Sequence, residues 1–179
     1  MKERGIIAEA TVFILIAACG NALAGTNPEV PDSLKTSATE VVSLEVQGKG
    51  VQIYECKVIA DDAKRFEWVF KAPEAELFDN AGRIIGKHYA GPTWESNDGS
   101  KVVGEVKGRD SGPDPSAIPW LLLTTKSTSG NGVFSRVTSV QRLNTAGGKA
   151  PSEGCNQSLM DKEIRIPYKA TYYFYLAKP

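Results

Sequence analysis

RIPYKATYYFYL, from Arg165 to Leu176, decides the fold class of this chain. Read with a period of two, it places Ile166, Tyr168, Ala170, Tyr172, Phe174 and Leu176 on one side, as a β-strand does when successive side chains alternate between faces. The same alternation runs through VQIYEC (Val51 to Cys56), where Val51, Ile53 and Glu55 alternate with Gln52, Tyr54 and Cys56. In FEWVFK (Phe66 to Lys71) three aromatic rings, Phe66, Trp68 and Phe70, share one face, and such a face is expected to be covered. Ile84 to Tyr89, Lys101 to Lys107 and Val133 to Leu143 read as further strands.

Residues that tolerate tight or left-handed turns separate these runs: Asp61-Asp62, Asp79-Asn80-Ala81-Gly82, Asn97-Asp98-Gly99-Ser100 and Gly130-Asn131-Gly132. Asp110 to Pro119, with three prolines, and Asn144 to Asn156, with three glycines and a proline, read as longer ordered surface loops. Beyond the first 24 residues no helical stripe of eleven or more residues is sustained; the best short helical candidates are Ser33 to Glu40 and Ile118 to Leu123. The expected fold is all-β, an antiparallel sandwich or barrel of roughly eight strands with long ordered loops.

The chain opens on Lys2, Glu3 and Arg4, then an apolar stretch from Thr11 to Ala18, then Ala22-Leu23-Ala24 before Gly25. A charged start, a short apolar core and a small-x-small site form a secretory signal over residues 1–24, leaving one domain over residues 25–179. The apolar run is shorter than the ~20 residues a spanning helix needs. Two processing sites compete, cleavage after Ala24, which is favoured, and cleavage before Cys19, where Ile16-Ala17-Ala18-Cys19 has the form of a lipobox whose cysteine is acylated. The expected location is secreted or periplasmic, with membrane attachment only through a lipid on Cys19. Either route leaves Cys56 and Cys155 in the folded part, and an even pair in an exported chain reads as a disulfide.

Lys and Arg together number 21 and so do Asp and Glu. Without net positive charge or a basic run there is no footprint for nucleic acid. The single histidine and three cysteines fall short of the usual zinc sets, and no phosphate-loop or dinucleotide fingerprint is present, so no metal or cofactor is expected. The densest chemistry lies in GKHYAGPTWE, Gly86 to Glu95, followed by Asp98. Two readings follow from it. In the first, His88, Tyr89, Trp94 and Glu95, together with Trp120, hold a small molecule or an envelope component in a concave apolar site. In the second, His88 shuttles a proton with Glu95 or Asp98 in a secreted enzyme. A structural role for the same residues competes with both, with Gly91-Pro92 turning a corner and Trp94 filling the core.

The blocks VQIYEC (Val51 to Cys56), Phe66 to Val106 with HYAGPTW inside it, IPWLLL (Ile118 to Leu123), Gly130 to Cys155 with VQRLNTAGG inside it, and IPYKATYYFY (Ile166 to Tyr175) carry a family likeness. Over about Pro31 to Leu176 the chain resembles domain of unknown function 3455, found in exported bacterial and fungal proteins. The resemblance implies a secreted, cysteine-paired domain without an established activity, with Cys56 and Cys155 on the family's YxC and GC positions. Some fungal relatives carry a dehydrogenase label, but an NAD site needs a strand, a glycine-rich turn and a helix that this sequence lacks.

Overall fold

A computed structural model describes residues 27–60 and 62–179. The expected leader, with Cys19 and the site after Ala24, lies outside the described residues. Eight strands follow in chain order: β1 Glu40–Ile59, β2 Asp62–Phe78, β3 Ile84–Tyr89, β4 Thr93–Ser96, β5 Lys101–Asp110, β6 Trp120–Ser129, β7 Ser139–Gly147 and β8 Glu163–Ala177. Each pairs antiparallel with the next, and β8 pairs back to β1, so the sheet closes into a barrel with no free edge. The all-β expectation therefore resolves to a barrel rather than a sandwich.

Inward positions follow the period of two. Tyr168, Ala170, Tyr172 and Phe174 of β8 are all buried in the interior, as the alternation of that strand requires. The Tyr172 ring lies over Gly48 of β1, where an added Cβ would come within 2.5 Å of the ring. A β-bulge in β5 between Val106 and Gly108 changes the parity of that strand, so that Gly108 faces outward against Ser33 and Arg109 pairs with Leu121.

One end of the barrel is plugged. Phe134 and Val137, in the connection between β6 and β7, are buried, and Phe134 packs on Phe174 at 4.5 Å between ring centroids. Asp98 holds this connection: its Oδ2 accepts the Val133 amide at 2.9 Å, while its Oδ1 accepts both the amide and the hydroxyl of Ser100. The Ser100 hydroxyl in turn accepts the Phe134 amide at 3.1 Å. The strand expected over Val133 to Leu143 thus begins only at Ser139, because Phe134 and Val137 are used to close the barrel instead.

The two helical candidates are also corrected. Ile118 to Leu123 leads into β6, and Ser33 to Glu40 contains only the end of a single 3₁₀ turn, Asp32–Leu34, before β1 begins. That turn belongs to an N-terminal strap lying on the outer wall. Leu34 is fully buried there against Leu122 and Leu143, with Val30, Trp120 and Tyr173 packed around them. Gln141 donates to the Leu34 carbonyl at 2.6 Å and accepts from the Tyr175 hydroxyl at 2.6 Å. Both faces are therefore covered over Leu121 to Leu123 of β6 and Tyr172 to Tyr175 of β8.

Cys56 and Cys155 form a disulfide across a sequence separation of 99. It ties the loop after β7 to the long β1–β2 hairpin, where Trp68 Nε1 donates to the Glu153 carbonyl at 3.1 Å. The aromatic face of β2 is covered only in part, since Phe70 remains 52% exposed and meets Tyr54 edge-on at 5.8 Å.

Candidate functional site

The barrel interior is filled at the plugged end and hollow at the other. Beyond the layer formed by Trp94 and Tyr172, a cavity of about 300 Å³ opens to the surface past Phe70, Pro92 and Val106. Mouths of β-barrels are common places for small-molecule sites, which combine apolar walls with a few placed polar groups. Here the register supplies such groups in a row: Arg109 of β5 pairs with Leu121 of β6, Leu121 with Arg142 of β7, and Arg142 with Tyr172 of β8. All four line the cavity.

Arg142 Nε and Nη2 both donate to the Pro119 carbonyl, at 3.2 and 2.8 Å, which fixes the guanidinium against the loop before β6. Part of its surface stays open where it lines the cavity, yet it is deep enough that desolvation lowers its pKa. No described carboxylate pairs with it. Around it lie phenols that burial keeps protonated: the Tyr168 and Tyr172 hydroxyls meet at 3.1 Å, and the Tyr54 hydroxyl donates to the Gly148 carbonyl at 2.6 Å. Gln52, only 2% exposed, lies beside the Tyr168 hydroxyl, but its Nε2 makes no hydrogen bond of acceptable geometry among the described residues. Trp94 Nε1 likewise has no acceptor.

His88 and Trp94 are direct partners across β3 and β4, and their rings stack at 4.4 Å with an interplanar angle of 11°. His88 Nδ1 lies 2.8 Å from the Thr93 carbonyl. A carbonyl can only accept, so Nδ1 carries the proton and Nε2 is left as the acceptor. Burial, joined by the positive field of Arg142, pushes the imidazole pKa down to about 3, against the favourable pull of the Thr93 carbonyl. The ring is neutral at physiological pH, which removes the charge change that a proton shuttle near neutrality needs.

The remaining sequence candidates lie elsewhere. Tyr89 and Glu95 each follow an inward residue by one position, so the strand period turns them outward. On the outer wall the Tyr89 hydroxyl donates to Glu95 at 2.8 Å, and Glu95 also faces Lys101 at 3.3 Å and Lys87 at 3.7 Å. These contacts hold the Glu95 carboxyl below its ordinary pKa, the Tyr89 hydrogen bond contributing most. Trp120 packs under the N-terminal strap, and Asp98 pins the plug. Neither carboxylate is hydrogen-bonded to His88, so the acid–base pair of the enzymatic reading is not assembled. Among the described residues no three His, Cys, Asp or Glu side chains come together to hold a metal ion.

Of the five binding candidates the cavity thus brings together His88 and Trp94. Sequence reading missed Gln52, Tyr54, Arg109, Arg142 and Tyr172, which come from four different strands. One signal was available, because Val140 and Arg142 alternate with Gln141 and Leu143, putting a charge on the same strand face as an apolar residue.

A family model described as Protein of unknown function (DUF3455) matches residues 37–176. No curated protein and no solved structure matches the chain.

Proposed function

The chain belongs to the family described as Protein of unknown function (DUF3455), and from that premise we propose that it is an exported module that binds a small molecule in the open mouth of its barrel. The observation that carries this reading is the hollow end itself. Six residues of its wall, Tyr54, Phe70, Trp94, Leu121, Leu123 and Tyr172, offer apolar surface, while Gln52, His88 and Arg142 bring polar groups among them. A barrel built only for stability would gain from filling that space, since packed interiors leave few voids larger than a water molecule. Support for export comes from the charged start, the apolar stretch and the Ala22-Leu23-Ala24 site, together with a disulfide that suits an oxidising compartment.

The test is a thermal-shift screen of a broad small-molecule library on the purified, oxidised protein, repeated on Trp94→Ala and His88→Ala. A ligand of this cavity raises the melting temperature of the parent and loses that effect in both variants, because stabilisation by binding scales with RT ln(1 + [L]/Kd). Hits whose stabilisation is unchanged in both variants would place binding elsewhere. Mass spectrometry of the amino terminus of the exported protein checks the other half, with cleavage after Ala24 or acylation at Cys19 as the expected products.

A further inference from the structure

We infer that the ligand of the barrel mouth carries an anionic group, a carboxylate or an acid of similar size, at the end that enters first, with an apolar body behind it. The inference rests on the small-molecule reading above and narrows it to a chemical class.

The first observation is the sign of the charge. Lys71, Arg109 and Arg142 line the cavity, and no Asp or Glu does, in a chain whose basic and acidic residues balance at 21 each. Concentrating one sign in a low-dielectric recess focuses the field on whatever enters it. Lys71 is engaged at the rim by Glu163 and Glu55, whereas Arg109 and Arg142 have no ion pair among the described residues. Arg142 is the deeper of the two in its environment, held by one carbonyl at Pro119 and flanked by neutral phenols. A largely desolvated cation without a counter-ion is costly, and a ligand that supplies the missing charge recovers that cost on binding.

The second observation concerns hydrogen-bond supply. Gln52 Nε2 is an unsatisfied donor on a side chain that is almost wholly buried and lines the same cavity. Unpaired buried donors are rare enough to call for a partner. Trp94, which also lines the cavity, has in its buried Nε1 a second donor unpaired among the described residues. The polar deficit of the site is therefore one of acceptors, which is what a carboxylate offers and an amine does not. The Pro119 carbonyl takes the Nε and Nη2 edge of Arg142, and a guanidinium's remaining donors are suited to a charge-assisted hydrogen bond with an acid. The walls nearer the opening, Phe70, Pro92 and Val106, are apolar and meet the body of the ligand.

The experiment compares two acids, octanoate and 3-phenylpropionate, with their neutral counterparts octanamide and 3-phenylpropanamide, by calorimetric titration of the oxidised protein. Each acid is expected to bind about ten- to a hundredfold more tightly than its amide, the range that a charge-assisted hydrogen bond provides. Arg142→Met should abolish the preference for acid over amide, and an acid preference that persists in that variant overturns the assignment; Arg142→Lys should restore part of the preference. Equal binding of acid and amide by the parent protein overturns the anionic assignment and leaves the small-molecule reading standing. No binding by any of the four overturns the anionic assignment and counts against the reading it rests on. Should Arg142→Met fail to fold, the acid–amide comparison on the parent decides the matter alone.

Discussion

Lowering the pH from about 7.5 to about 5 should destabilise this protein by about 2 kcal/mol through one side chain. The chain has a single histidine, and burial holds its folded pKa near 3 where an exposed imidazole titrates at 6.5. At the upper pH neither state binds the proton. As the pH falls below 6.5 the unfolded chain takes it up and the folded chain does not, so the unfolded state gains stability. Integrating from an unfolded pKa of 6.5 gives about 2 kcal/mol at about pH 5, and the figure barely depends on the folded value once that lies well below the range tested. With a urea slope of about 2 kcal/mol/M, the unfolding midpoint should fall by about 1 M. The measurement is urea denaturation followed by tryptophan fluorescence across this range, on the parent and on His88→Phe, whose ring can keep the stack on Trp94. Whatever the variant costs at neutral pH, its midpoint should lose this slope. A parent that is flat over the window, or a variant with the same slope, would refute a buried neutral His88.

Reduction of the Cys56–Cys155 bond frees a loop of 99 residues and should cost up to about 4.7 kcal/mol in the chain-entropy account, read as a lower urea midpoint in reductant. Asp98, whose carboxyl is held at about 2 chiefly by the Ser100 hydroxyl and then by the Val133 amide, contributes stability above the ordinary carboxylate pKa of 3.8 that is lost as the pH falls toward 2. Asp98→Asn should flatten that acid branch and speed hydrogen exchange at Phe134, with parent-like exchange there as the contrary result. Gly48→Ala should cost about 1 to 3 kcal/mol by pushing Tyr172 from its seat, measured by thermal melting, and an unchanged melting temperature would show that the ring has room.

The long strands were legible because their apolar residues recur with a period of two, as in β8, where Tyr168, Ala170, Tyr172 and Phe174 all face the interior even though Thr171 and Tyr175 of the opposite face are buried as well. β6 was not, and the strap explains why. With Leu121 and Leu123 facing the interior and Leu122 under the strap, three consecutive leucines are buried and the period of two disappears. Likewise Val133 to Leu143 mixes a plug and a strand, both apolar, and nothing local separates them. For the site, neighbours in sequence misled: His88 with Tyr89 and Trp94 with Glu95 are adjacent residues that a strand sends to opposite walls. Arg109 escaped notice for a further reason, because only the bulge after Val106 turns an odd-numbered residue inward.

β8 ends at Ala177 beside the start of β1, with the Lys178 amide donating to the Thr39 carbonyl at 2.7 Å, on the side where Phe134 closes the barrel. A biotin or polyhistidine handle appended there would therefore anchor the molecule by its floor and leave the opposite opening facing the flow of a sensor chip. Immobilised titrations can be run in that orientation without the support obstructing entry.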